Sequence, residues 1–317
     1  MIKVGIAGIS EANGHPFSFS AIINGFDEHE FSKSGWPNIL KYLKEAPDGQ
    51  NGIDGAQVTH AWTQDPVSTA ALCASSKIQN QCGNLLEMLG EVDALIIARD
   101  DWENHFEMAK PFLENNIPVF VDKPLSLNNA EIEYFIPFLI SGKLMSCSGF
   151  RFAKELNDPN NNLLNIGSLK LISGVVVNDM DKYGIHLLEA VIGLLHVEEA
   201  SFILSRKHTT HESFSIEFEN GLVFNLDCLG SHKKVFHLSF FGSEAEAHIE
   251  LQDNFFAFKR TLEKFLKMVK ENKPPFNPNE TIILMRILQA SKFLQKGEST
   301  EIFFNRLENL EGNLSRG

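Results

Sequence analysis

Apolar positions are patterned in two ways along this chain, and the change falls near residue 150. Before it, short apolar runs alternate with stretches of helical spacing. Residues 2–7 have strand character, and a glycine-containing turn leads into a helical stretch over 16–26. A second strand is predicted over 57–62. Asp65-Pro66 then has the form of an N-cap followed by proline at the first helical position, opening a helix through residue 76. Residues 92–98 are apolar almost throughout, as in a strand buried on both faces. A helix over 104–115, a strand over 119–121, a helix over 127–140 and a strand over 144–148 complete the series. Strands alternating with helices predict a parallel sheet with right-handed crossovers.

After residue 150 an Asn-rich loop (Asn157, Asn160, Asn161, Asn162, Asn165) precedes a strand over 169–177 and a helix over 183–195. Strands then follow one another over 201–206, 214–218, 222–229 and 235–241. Asn220-Gly221 between two alternating runs is a hairpin signal. Helices over 255–271 and 280–294 close the chain. The expected organisation is an α/β domain over 1–150 and an α+β domain with a large, mostly antiparallel sheet over 151–317. Phe236 and Phe240 fall on one face of that sheet and Phe241 on the other, so the sheet reads as Phe-rich on both faces and predicts a homodimer or homotetramer.

Charge narrows the function. The net charge is −13, with nineteen acidic against nine basic residues in 1–150, which argues against nucleic acid as main partner. An acidic domain still binds an anionic cofactor when backbone N–H groups at a helix start do the binding. No stretch is long and apolar enough for a membrane helix, and the first residues lack the apolar core of a signal peptide. Cys73, Cys82, Cys147 and Cys228 show neither CxxC nor zinc spacing and read as reduced thiols of a cytoplasmic protein with no metal.

Four segments carry candidate chemistry. The turn Gly8-Ile9-Ser10-Glu11-Ala12-Asn13-Gly14-His15-Pro16 follows the first strand, where a dinucleotide fingerprint belongs. Ser10 stands where the second glycine would be, and the third is displaced to Gly14. At the end of the second strand, the ribose position lies between Thr63 and Asp65, and Asp65 is also the natural cap of the next helix. No Lys or Arg lies between Asp54 and Lys77, which favours NAD over NADP, with NADP left open. Asp122-Lys123-Pro124 ends a strand at the carboxyl edge of the sheet, where ligands of such sheets bind. Asp181, Lys182, Tyr183 and His186 cluster at a strand-to-helix junction, with Glu189 on the helix face of His186.

Together these pieces resemble the glucose-fructose oxidoreductase / inositol dehydrogenase / MocA (Gfo/Idh/MocA) family over nearly the whole chain. Residues 2–8 look like the opening strand and first glycine. Residues 91–98 followed by His105 look like the fourth-strand segment, with Arg99-Asp100-Asp101 replacing its usual Thr-Pro-Asn. Val121-Asp122-Lys123-Pro124 is similar to its Glu-Lys-Pro motif, Phe150-Arg151 to its arginine after the sixth strand, and Gly184-Ile185-His186 with Glu189 to its Gly-x-His-x-x-Asp. The resemblance implies an N-terminal Rossmann domain, a doubly wound parallel sheet, binding NAD(P) through Gly8, Ile9, Ser10, Gly14, His15, Thr63, Asp65, Arg99, Asp100, His105, Asp122 and Lys123. It implies an α+β domain that binds substrate and makes oligomer contacts. Lys123 and His186 would be catalytic, and Lys123, Arg151, Asp181, Lys182, Tyr183 and His186 would bind a polyol, sugar or amino-sugar. Lys182 stands where the family often has Asp, with Asp181 one residue away. The alternative expectation is therefore an inactive protein of the same fold that senses a dinucleotide or sugar.

Overall fold

A computed structural model describes residues 1–47, 50–197, 199–297 and 300–304. It divides into two compact units, one of 1–149 with 254–278 and one of 150–253 with 279–317.

In the first unit the chain runs β1 (Ile2–Ala7), α1 (His15–Asn24), α2 (Glu28–Ser32), α3 (Pro37–Glu45), β2 (Ala56–Trp62), α4 (Pro66–Ser75), β3 (Asn80–Gln81), β4 (Ala94–Ile97), α5 (His105–Glu114), β5 (Val119–Val121), α6 (Asn129–Ile140) and β6 (Leu144–Ser146). The six strands are parallel in the order β3-β2-β1-β4-β5-β6. This is the doubly wound Rossmann order, which reverses between β1 and β4. All four residues of β4 are buried, as a strand covered by helices on both faces requires. Asp65 caps α4 by accepting the Val67 and Ser68 N–H groups, and Asn128 caps α6 through the Ala130 and Glu131 N–H groups.

The second unit begins with one-turn helical segments over 149–165, then β7 (Leu169–Val176) and α7 (Ile185–Leu195). β8 (Ala200–Lys207), β9 (Glu212–Phe218), β10 (Val223–Cys228), β11 (Phe236–Gly242) and β12 (Glu246–Glu250) follow. Two helices, α8 (Asn254–Glu271) and α9 (Pro278–Gln295), precede the short β13 (Glu301–Phe303). The seven-stranded sheet has the order β12-β11-β7-β10-β9-β8-β13, and only β7 and β10 pair in parallel. Gly221, at φ +79°, makes the turn between β9 and β10 where Asn220-Gly221 signalled one.

The structure differs from the sequence reading in three places. Helices α2 and α3 occupy a segment with no predicted elements; they are five and nine residues long, too short for a sustained period. Helix α8 was expected in the second domain but packs with the first unit, where Phe258 meets His15 and Phe19. The two faces of the large sheet are unequal. Phe214, Phe218, Phe224, Phe236 and Phe240 are buried on one, whereas the other mixes Ser173, Ser215, Asn225, Asp227 and Ser239 with half-exposed Phe202 and Phe241 and exposed Phe303. Cross-strand pairs such as Ser215–Asn225 (2.8 Å) satisfy those polar groups within the sheet.

Candidate active site

The turn after β1 fills two of the three glycine roles of a dinucleotide fingerprint. Gly8 adopts φ +83°, and a Cβ there would lie 2.8 Å from Arg99 Cδ. A Cβ on Gly14 would fall within 2.7 Å of Trp36 and Ile39, so glycine permits the close packing of the start of α1. In the middle position Ser10 donates its hydroxyl to Asp100 Oδ1 (2.6 Å) and accepts the Asp100 N–H (3.2 Å). Gln64, at the end of β2, clamps Ile9 with both ends of its amide: Oε1 accepts the Ile9 N–H (3.0 Å) and Nε2 donates to the Ile9 carbonyl (2.6 Å). Gln64 escaped the sequence reading, which weighed only carboxylates and hydroxyls at that strand end.

Residues after β5 meet the same turn. Asp122 and Lys123 are buried, and the Lys123–Pro124 peptide is cis. Asp122 Oδ2 lies 2.5 Å from His15 Nδ1 and accepts from Asn13 Nδ2 (3.2 Å), while Oδ1 accepts the Lys123 N–H (2.9 Å). Asn13 Oδ1 in turn accepts the His15 N–H (2.8 Å). Lys123 Nζ stands 3.7 Å from Asp100 Oδ2. Ser10, Asp100 and Lys123 thus form one brace between the strand ends, and Asn13, His15 and Asp122 a second. Burial pushes the Asp122 carboxyl up, but His15, Lys123 and the Asn13 hydrogen bond outweigh it and hold it down at about 2.

That depression makes a stability statement. A carboxylate with a lowered folded-state pKa contributes stability above its unfolded pKa and loses it as pH falls through the folded value. For Asp122 the window is about pH 4 down to about 2, and the contribution is about 2 kcal/mol. Asp122→Asn is expected to flatten the loss of stability across that window in urea titrations. An unchanged acid limb in the variant would place the effect elsewhere.

Several residues expected at a cofactor are committed elsewhere. Thr63 is buried, with Oγ1 bonded to the Asp65 carbonyl (2.7 Å) and Thr69 Oγ1 (2.8 Å). Asp65 is the helix cap, its carboxyl lowered by the hydrogen bond from the Ser68 hydroxyl. Arg99 makes a paired contact with Asp101 through Nε and Nη2. Both ring nitrogens of fully buried His105 face backbone carbonyls, Arg99 at 2.8 Å and Leu125 at 3.1 Å. Neither nitrogen is left for a ligand; the ring braces the segments after β4 and β5.

In the second unit, a π-helical turn at Met180–Gly184 leads into α7. Asp179 caps it by accepting the Lys182 N–H (2.8 Å), and the Gly184 N–H reaches back five residues to the Asp179 carbonyl (2.9 Å). The extra residue in this turn leaves no mark in the hydrophobic pattern. His186 lies among aromatic rings, 5.6 Å from Phe150 and 5.5 Å from Phe236 between ring centres, with Tyr183 at 6.3 Å. Lys182 is exposed. Asp181, expected beside the substrate, is instead drawn to Lys292 of α9, at 3.2 Å. Burial raises its carboxyl, with Lys292 opposing.

Arg151, also expected to bind substrate, is an internal tie. Its guanidinium donates to Glu189 (2.8 Å) and to Glu280, and all three side chains are no more than 3% exposed. His196 Nδ1 lies 3.2 Å from the second oxygen of Glu280. Glu189, read as the family's acid near His186, has this arginine as its partner.

No helix among the described residues is long and apolar enough to cross a membrane. A search of curated proteins finds no match. Among solved structures, a putative myo-inositol dehydrogenase from Sinorhizobium meliloti 1021 superposes with TM-score 0.71 at 12% identity, covering 95% of this chain and 99% of that one. Myo-inositol 2-dehydrogenase from Lactobacillus plantarum gives 0.72 at 13%, covering 95% and 99%. Myo-inositol dehydrogenase from Lactobacillus casei, in complex with NAD(H) and myo-inositol, gives 0.72 at 12%, covering 96% and 97%. At such identities these likenesses speak for the fold. The family model described as "Oxidoreductase family, NAD-binding Rossmann fold" matches residues 38–139. That match lies in the first unit, and the likeness to these solved structures shows that the chain shares their fold.

Proposed function

We propose that this protein is an NAD(P)-dependent oxidoreductase that passes a hydride between the nicotinamide and a CH–OH carbon of a cyclic polyol, sugar or amino-sugar derivative. The observation that carries the reading is Lys123, buried beside Asp100 at the carboxyl end of β5 in a sheet of Rossmann order. The turn over residues 8–14 would hold the pyrophosphate: Gly8 and Gly14 fit their roles, and Ser10 is tied back by Asp100. When bound, the nicotinamide supplies the hydride acceptor or donor. In the oxidising direction the hydroxyl proton goes to His186, and the Lys123 ammonium holds and polarises the substrate oxygen. Exposed Lys182 favours a substrate that carries a carboxylate or phosphate, as a point charge would.

The dinucleotide is NAD in this proposal. No cation lies between Asp54 and Lys77, and the residue at the end of β2 that faces the first turn is the neutral Gln64. Titration with NADH and NADPH, read by energy transfer from tryptophan, is expected to favour NADH. NADPH binding tenfold tighter, a difference of about 1.4 kcal/mol, would reverse the preference. NAD⁺-dependent turnover on a panel of inositols, sugars and their acids then tests the reaction. Binding without turnover across the panel would favour the sensing alternative.

The polar, half-buried face of the seven-stranded sheet is assigned to subunit contact in a homodimer or homotetramer. Leu171, Val175, Val223 and Phe241 give it apolar area among the serines, and none of the four is fully exposed. Light scattering at micromolar concentration is expected to give a multimer of the 35.5 kDa chain; a clean monomer counts against this assignment.

A further inference from the structure

His15 opens α1 and reaches from the turn after β1 to Asp122 after β5, while β4 runs between those two strands. Its hydrogen bond therefore spans the point where the strand order reverses, the place where open α/β sheets bind ligands. The ring lies on Phe19 of its own helix, 4.9 Å between centres, and meets Phe258 of α8 edge-on at 5.0 Å. Asp122 is ionised and has no proton to give, so Nδ1 carries the hydrogen in their contact. Nε2, on the opposite side of the ring, makes no hydrogen bond among the described residues, and a fifth of the side chain (20%) is open. The orientation of this nitrogen is set by a buried carboxylate that Asn13 and the Lys123 N–H hold in place.

We propose that His15 Nε2 donates to an anionic oxygen of the dinucleotide pyrophosphate, with Asp122 as the positioning residue that orients the ring. The inference rests on the dinucleotide reading above and deepens it. Charge at the turn explains the need. Glu11 is exposed in the same turn, and Asp100 follows β4, bound to Ser10 and 3.7 Å from Lys123. Asp122 faces the ring from the end of β5, with the Lys123 charge acting on that carboxyl, whereas α8 and α1 present the apolar rings of Phe258 and Phe19. A phosphate entering so acidic a turn gains from a proton on His15, which supplies both charge and a donor where Ser10 replaces glycine. Nδ1 already holds one hydrogen toward Asp122, so Nε2 donates only from the imidazolium; without that second proton it is an acceptor facing an acceptor, and binding weakens.

The test is calorimetric binding of NADH, ADP-ribose and adenosine from about pH 6 to 8.5, with His15→Asn and His15→Gln. Asn places its amide near the Nδ1 position and keeps the contact with Asp122, but has no atom at Nε2. Gln reaches the Nε2 position and does not titrate. His15→Asn is expected to weaken NADH and ADP-ribose about tenfold, roughly 1.4 kcal/mol, and to flatten the pH dependence. His15→Gln should also flatten it while keeping more of the affinity, and adenosine should bind all three proteins alike. A ring that only braces the turn through Asp122 gives the opposite ranking, with Asn the better replacement. Wild-type affinity and pH slope for ADP-ribose in His15→Asn overturn the inference while leaving the dinucleotide reading intact. A wild-type protein that binds none of NADH, NADPH and ADP-ribose overturns both.

Discussion

Lys123→Ala is expected to lower turnover by about 100- to 10,000-fold while leaving the dinucleotide dissociation constant within about tenfold of wild type. The expected size follows from where the ammonium sits. Its side chain is 5% exposed, so little water stands ready to replace it. Its partner Asp100 keeps the Ser10 hydroxyl when the lysine is gone, so the turn after β1 retains its brace. The loss therefore falls on the chemical step. His186→Ala should behave alike, because its ring partners Phe150, Tyr183 and Phe236 all belong to the second unit and none to the turn after β1. Steady-state rates on a substrate found by the panel, beside NADH titrations of each variant, check both. Full turnover by Lys123→Ala would remove this lysine from the mechanism.

Arg151→Met is expected to destabilise the second unit by about 3–5 kcal/mol, the usual cost of leaving a buried charge without its partner. Two carboxylates, Glu189 and Glu280, meet this guanidinium, and both are almost fully buried. They come from α7 and α9, so the arginine ties both helices to the segment that opens the unit. Glu189→Gln should cost less than Arg151→Met, because Arg151 then keeps Glu280. Replacing all three by apolar residues of similar volume should recover much of the loss. Urea unfolding followed by circular dichroism gives the ranking. An unfolding midpoint for Arg151→Met equal to wild type would show that the triad contributes nothing. Were Arg151 a substrate ligand instead, its replacement would raise KM in a fully stable protein.

The sequence by itself determined the elements whose cause is local. Residues 94–97 show an unbroken apolar run because both faces of β4 are covered, and burial on both faces is visible in composition alone. Asp65-Pro66 and Asn220-Gly221 marked a helix start and a hairpin because caps and tight turns depend on a few adjacent residues. The turn after β1 and the Asp-Lys-Pro segment were legible as candidates for the same reason, as short motifs after apolar strands. What only the tertiary structure decided are the pairings between distant residues. His15 meets Asp122 across 107 positions and Arg151 meets Glu280 across 129. A side chain's partner is set by the path of the backbone between them, which no local period encodes. Arg151 therefore looked like a ligand and is a tie, Asp181 looked like part of a substrate site and pairs with Lys292, and Gln64 went unnoticed. Helix α8 follows the same logic: its own pattern makes it amphipathic, but only packing decides that its apolar face meets Phe19 and Phe120 of the first unit.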